Sequence, residues 1–238
     1  LDAGLSLDEA GAPRGVGPAL IGKLIDPAGR PLVSRRASDA EGLARAPDGG
    51  FYVSFEAWHR IMYYPPGPIP FQRPPQFVVP PPGIDGAPSN GALEAIAAWP
   101  DGGLVALAEE FRDAAGNHRA WIDGPIRWQP FTWAQSGYSP TGATVLSDGS
   151  LLVLERRFAL FTFAARIVQV SRTACRAGGR VEGIEIATWA PPDLVDNFEG
   201  ITARLGRDGE TLIYLVSDDN FLSPLQRTLL LCFALRPA

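Results

Sequence analysis

The chain has 238 residues, 46% of them hydrophobic, which is enough for a full core and, in an all-β repeat protein, makes a single domain of this length. A formal net charge of −5 leaves no basic footprint and argues against nucleic acid as a partner; the longest uncharged apolar stretch, residues 228–235, is far too short to span a membrane. The 26 glycines and 23 prolines punctuate apolar runs without forming low-complexity tracts, so they read as turn chemistry in a loop-rich β protein.

In chain order, residues 1–38 carry a strand-like piece at 18–25 and an Asp26-Pro27-Ala28-Gly29 turn, and no basic-apolar-small leader opens them. Strands are predicted at 42–46, 51–56 and 60–64. The proline-dense stretch 65–88 cannot be a central strand and reads as an extended surface connection. A second unit places strands near 93–98, 104–109 and 118–122, followed by a Trp-rich piece at 126–133 whose aromatics are expected to pack between sheets, not to form a carbohydrate platform. A third unit has strands near 143–146, 151–155, 166–170 and 181–189. The fourth has strands near 200–204, 211–216 and 227–235, and lacks an outermost strand that the first strand of the chain could supply. No eleven-residue stretch holds a helical stripe, so helix content is expected to be low.

One phrase organises these strands: an acid, a short strand, an Asp-Gly turn, a second strand and a closing acid. Glu41, Asp48 and Glu56 follow the same spacing as Glu94, Asp101 and Glu109, seven positions and then eight. The turn and closing acid recur as Asp148 and Glu155, and a longer copy runs from Glu199 through Asp208 to Asp218. A period of roughly fifty residues is that of a β-propeller blade. The chain is therefore expected to be an all-β propeller of five or six blades, built from an incomplete N-terminal remnant (1–38) and units at 39–90, 91–140, 141–196 and 197–238.

In a propeller the leading strand of each blade lies innermost, so Glu41, Glu94 and Glu199 should converge at one mouth of the central channel. Two carboxylates about 6 Å apart repel by roughly 3 kcal/mol at an effective dielectric near 20, so a hard cation or protonation must relieve them. Oxygen ligands favour Ca²⁺, with Mg²⁺ second, and only His59 and His118 are available for softer metals. The alternative is that each Glu merely accepts backbone N–H groups. The closing acids Glu56, Glu109, Glu155 and Asp218 should return to the same mouth. Arg156 and Arg157 follow the third of these, and Asp219 and Asn220 the fourth. The Asp-Gly turns belong to the far mouth and carry no chemistry. Gly137-Tyr138-Ser139 lacks the rest of a nucleophile elbow, and phosphate-loop, dinucleotide and zinc-helix motifs are missing. Cys175 and Cys232 permit one disulfide without requiring it, and Cys232 reads as a buried thiol in an apolar strand.

Several strings, Asp39-Ala40-Glu41-Gly42-Leu43-Ala44, Leu93-Glu94-Ala95-Ile96-Ala97, Leu152-Val153-Leu154-Glu155-Arg156, Asp196-Asn197-Phe198-Glu199-Gly200-Ile201 and Ser217-Asp218-Asp219-Asn220-Phe221, followed by Gln226-Arg227, resemble the "esterase-like activity of phytase" family of bacterial phytase-like β-propeller proteins. The resemblance runs from about residue 30 to the C-terminus and is most specific over 197–235. It implies a periplasmic or secreted protein that hydrolyses phosphoesters or related esters, acting on a small anionic or ester substrate. Carried over residue by residue, it implies Glu41, Glu94, Glu199, Asp218, Asp219 and Asn220 as metal ligands. Glu155 or Asp218 is implied as the base, with Arg157 and Arg227 as catalytic cations. The alternative is a non-catalytic binding propeller with a structural ion, since no nucleophile is visibly paired with these acids.

Overall fold

The computed structural model describes residues 2–123, 128–159, 162–222 and 225–235. Its strands in chain order are β1 (Asp2–Leu7), β2 (Pro13–Leu20), β3 (Ala40–Arg45), β4 (Phe51–Phe55), β5 (Arg60–Tyr64), β6 (Gln76–Val78), β7 (Ala95–Ala98), β8 (Leu104–Arg112) and β9 (His118–Ile122). There follow β10 (Gln129–Trp133), β11 (Ser139–Val145), β12 (Leu151–Ala159), β13 (Thr162–Val170), β14 (Arg180–Val181), β15 (Ile184–Trp189), β16 (Phe198–Leu205), β17 (Thr211–Ser217) and β18 (Leu230–Leu235). The α-helix among the described residues is one short turn, α1 (Arg35–Ser38), as the missing helical periodicity foretold.

The strands form four antiparallel blade-like sheets, β3-β4-β5-β6, β7-β8-β9-β10, β11-β12-β13-β15 and β16-β17-β18, in a propeller-like arrangement. Their leading strands β3, β7, β11 and β16 pack one against the next. The second sheet gains a strand that the pattern did not reveal, because β14 leaves the third unit and pairs parallel with β10. A fifth or sixth blade is not formed among the described residues. The N-terminal segment makes its own hairpin, β1-β2, whose strand falls at 13–20 and not at 18–25. That hairpin does not hydrogen-bond to β18 as a closing strand. Its turn rests on the last sheet, where the Tyr214 hydroxyl donates to the Gly11 carbonyl at 2.7 Å.

Alternation along the strands decides which side chains fill the spaces between sheets. The first and second sheets enclose Ile61, Leu93, Ile96, Leu104 and Trp121. The second and third enclose Trp99, Leu107, Trp133, Leu151 and Val153, and the third and fourth enclose Leu152, Leu154, Ile167, Phe198 and Leu215. Fully burying one such side chain stabilises the fold by about 1.5–3 kcal/mol. Trp128, Phe131 and Trp133 are all buried, so the Trp-rich piece packs as expected, although Ile126 and Arg127 lie outside the described residues. The proline-dense stretch is an edge connection containing β6 and a 3-10 turn at Ile84–Gly86, held to the second sheet by the Trp128 and Trp121 indoles, which donate to the carbonyls of Val79 and Pro82. The two cysteines are free thiols. Cys175 is the buried one, its thiol pushed up to about 11 by desolvation, whereas Cys232, expected to be buried, is partly exposed.

At the far end of the sheets each Asp-Gly turn has its glycine at positive φ, +91° at Gly49, +90° at Gly102, +83° at Gly149 and +83° at Gly209. A side chain there would be strained, which is why the phrase keeps glycine after the aspartate. In three of the four turns the Asp side chain also accepts the N–H two residues on.

Candidate functional site

Close approach of the leading strands determines where the acids stand. Gly42 follows Glu41 on β3, and a Cβ there would come within 2.7 Å of the Glu94 carbonyl and 2.6 Å of Ser54 Oγ. Gly142 on β11 stands against the Glu199 backbone in the same way, with a Cβ meeting its carbonyl at 2.9 Å. Ser54 ties the first pair of sheets by accepting the Gly42 N–H at 2.9 Å and donating to the Leu93 carbonyl at 2.6 Å. Thr141 ties the last pair by donating to the Phe198 carbonyl at 3.0 Å. Glu41, Glu94 and Glu199 are each flanked by one of these ties, and so face one mouth from three sheets.

Arg156, from β12, occupies that mouth. Its guanidinium donates to Glu109 Oε1 at 2.6 Å and also to Asn197 and Glu199, joining the second, third and fourth sheets. The side chains of Glu41 and Glu94 make no hydrogen bond or ion pair with another described residue; they repel each other and the acids around them, Glu56 and Glu109 among these, while Glu94 is also within electrostatic reach of Arg156. Desolvation is the largest cause of each shift, and the neighbouring acids add to it. Glu94 is held far above the usual carboxylate range and is protonated at neutral pH. Glu41 is raised to about 7; although the residue as a whole is exposed, its carboxyl is sunk among other acids. Burial also raises Glu199 to about 7 against the opposing pull of Arg156, and it raises Glu109 in the same sense. The cluster therefore relieves its repulsion through protonation and one arginine, two of the routes that Coulomb's law leaves open.

Glu155 stands apart from this cluster. It is fully buried between sheets, accepts from Trp133 Nε1 at 2.6 Å, and pairs with Arg166, so the catalytic role expected for it has no geometric support. Glu56 is fully buried too. Its Oε1 accepts the Ala92 N–H, as in the backbone-satisfying alternative, while its Oε2 has no partner. Asp218 is exposed at the mouth, within electrostatic reach of Glu41 and Glu199, and accepts the Asn220 N–H at 3.0 Å. Asp219 caps the Phe221 N–H at 3.0 Å, and Asn220, at φ +48°, donates to Gln226 at 3.0 Å, so both organise a loop and neither joins the acids. Arg157 is exposed with its guanidinium 4.8 Å from the Tyr138 ring centre, and Arg227 bonds to Asp196 Oδ2 at 3.3 Å. Neither contacts the acids at the mouth. Among the described residues no three acidic, histidine or cysteine side chains stand close enough together to hold a metal ion as they are.

Sequence reasoning brought Arg156 and Glu109 to this mouth but gave them no role, and it did not foresee that Arg156 bonds to Glu109, Asn197 and Glu199. Strand alternation carries the missing signal. Glu155 and Arg157 share one face of β12, so the residue between them points the other way, toward the fourth sheet.

A family model described as "Phytase-like: Esterase-like activity of phytase" matches residues 1–221. The match begins earlier than the strings above suggested and stops before Gln226-Arg227. No curated protein matches the chain. Among solved structures, an endo-arabinase from Bacteroides thetaiotaomicron VPI-5482 is similar at 13% identity and TM-score 0.46, over 79% of this chain and 71% of its own. A PQQ-bound aldose sugar dehydrogenase from Streptomyces coelicolor is similar at 13% identity and TM-score 0.41, over 82% of this chain and 81% of its own. A mannose phosphorylase from Leishmania mexicana, solved with phosphate ion, is similar at 12% identity and TM-score 0.36, over 82% of this chain and 61% of its own.

Proposed function

The chain belongs to the phytase-like family described by the esterase-like activity of phytase, and from that premise we propose that it hydrolyses phosphoesters or related small esters at the mouth where Glu41, Glu94, Glu109 and Glu199 surround Arg156. The observation that carries this reading is the separation of proton affinities within one cluster. Glu94 keeps its proton at neutral pH, while Glu199 titrates at about 7. Carboxyl groups driven apart in this way suit acid and base roles at neutral pH. In the reaction we propose, Glu199 as carboxylate takes a proton from the attacking water, the ester bond breaks, and Glu94 protonates the leaving oxygen. Arg156 is a positioning residue that holds Glu199 and Glu109 in place. Export from the cytoplasm, which the resemblance implies, is part of the same proposal.

Calcium is the ion we propose for this mouth. The donors suit a hard cation in chemistry: they are all oxygens, Glu41 is unpartnered, and Glu56 Oε2 is buried without a hydrogen bond. Glu41, Glu56 and Asp218 would hold it, with the side chains closing around it and Glu41 giving up its proton, so affinity should rise with pH. A bound cation would neutralise charge developing on the ester oxygens.

A second reading, a non-catalytic binding mouth with a structural ion, is favoured by the engagement of Arg156 with three protein partners, which occupy three of its five N–H donors. A phosphoester and acyl-ester panel, assayed with calcium and with chelator, separates the two. Hydrolysis by the wild type, reduced by about 10² or more in Glu199→Gln and suppressed by chelator, is the expected result. No turnover on any ester with calcium present would favour the binding module.

A further inference from the structure

Midway along its length β8 departs from its ladder with β9. Leu107 pairs with Ala120 and the next pair is Arg112 with His118, so residues 108–111 of β8 stand against Arg119 alone on β9. A bulge of this kind bends its strand and re-aims the side chains on it. Here the Glu109 carboxylate accepts from Arg156 at 2.6 Å, while Glu110 beside it is exposed. The bulged backbone is pinned at two points. The Glu110 N–H donates to the Gly91 carbonyl at 2.6 Å, and a Cβ at Gly91 would meet the Glu110 Cβ at 2.7 Å. The Glu109 carbonyl, in turn, lies 2.7 Å from Nδ1 of His118.

His118 is fully buried, and both of its ring nitrogens face oxygens that can only accept: the Glu109 carbonyl at Nδ1 and the Tyr138 carbonyl 3.2 Å from Nε2. Desolvation, and after it the charge of Arg112, lower the proton affinity of the ring below the ordinary histidine value, against the opposing pull of the two carbonyls and of Glu110. The ring is therefore neutral at neutral pH and has one N–H for two acceptors. The shorter contact selects Nδ1 as the donor and leaves Nε2 without a proton. We propose that His118 is a positioning residue for the mouth: as the Nδ1–H tautomer it donates to the Glu109 carbonyl, fixes the bulge that brings Glu109 to Arg156, and acts through Arg156 on Glu199. Its effect on turnover rests on the hydrolase reading above, whereas the tautomer and the hold on Glu109 do not.

The test uses the full chain. In ¹⁵N-histidine-labelled wild type at neutral pH, the His118 ring, assigned by its loss in His118→Asn, is expected to carry its proton on Nδ1. His118→Asn keeps a donor where Nδ1 stands and His118→Gln keeps one where Nε2 stands, so the two variants separate the hold on Glu109 from the contact with Tyr138. The Glu109 carboxyl, followed by ¹³C titration, should keep its wild-type behaviour in His118→Asn and depart from it in His118→Gln. On an ester that the wild type hydrolyses, His118→Gln should lower kcat about tenfold with little change in KM, and His118→Asn should recover most of that loss. In an Arg156→Gln background His118→Gln should cost nothing further, because its effect passes through Arg156. A proton on Nε2, or the same Glu109 titration in both variants, would overturn the proposal whether or not esters are turned over. Should His118→Gln fail to fold, the tautomer of the wild type still decides. Absence of turnover on any ester, with Nδ1 protonated and Glu109 moved by His118→Gln alone, would remove the hydrolase and leave His118 as the residue that places Glu109.

Discussion

Glu155 and Arg156 are consecutive, yet the pleat sends them to different environments. Glu155 enters the dry layer beside Trp133 and Arg166, and Arg156 reaches across the mouth to Glu109, Asn197 and Glu199. A fully buried carboxylate paired with one guanidinium is costly to separate from it, because the partner is left charged without compensation. Glu155→Ala is therefore expected to destabilise the protein by about 3–5 kcal/mol in urea unfolding, with Arg157→Ala, which loses only an exposed contact over Tyr138, costing about 1 kcal/mol or less. Comparable small losses in both variants would remove the structural role assigned to Glu155. At this scale the recurring spacing made Glu41, Glu94 and Glu199 legible before any coordinates. The resemblance implies Arg157 and not Arg156, and position next to an acid in the sequence says nothing about which face a side chain takes. Asp219 and Asn220 mislead for a related reason, since Asp and Asn also serve tight turns, and here they cap and line a loop.

Strands meet edge to face only where glycine permits, and Gly42 is the clearest instance. A methyl group there meets Ser54 Oγ at 2.6 Å, the Glu94 carbonyl at 2.7 Å and Ile96 at 3.0 Å, so β3 and β7 would have to separate. Gly42→Ala should cost about 1–3 kcal/mol of stability, whereas Gly15→Ala in β2, where nothing lies within 4 Å, should cost far less. Equal melting temperatures for Gly42→Ala and the wild type would show that the two strands are not in this contact. The elements themselves were largely readable, because apolar alternation bounded by Asp-Gly turns is a strong hairpin signal. Two features were not. The two-residue strand β14 is too short to carry a period, and its parallel pairing with β10 is a non-local choice. The N-terminal hairpin resembles a blade edge in composition, but β1 and β2 pair only with each other, and the hairpin touches the last sheet through Tyr214.

Across the whole molecule, three of the four sheets are joined at one point by the guanidinium of Arg156. Arg156 of the third sheet holds Glu109 of the second and Glu199 of the fourth, with Glu94 and Glu41 crowding from the second sheet and the first. The repeat made the convergence of acids readable from the sequence. The way their charge is balanced was not readable, because protonation and a neighbouring arginine depend on burial and orientation. Both the proposed chemistry and the proposed ion depend on these carboxyls being near enough to perturb one another. Titration of the carboxyl carbons in ¹³C-glutamate-labelled protein, assigned with Glu41→Gln, Glu94→Gln and Glu199→Gln, reads that directly. The expected result is that Glu41 and Glu199 titrate at about 7 and Glu94 higher still, well above the ordinary value of 4.5. Ordinary titration of all three near 4.5 would contradict the account.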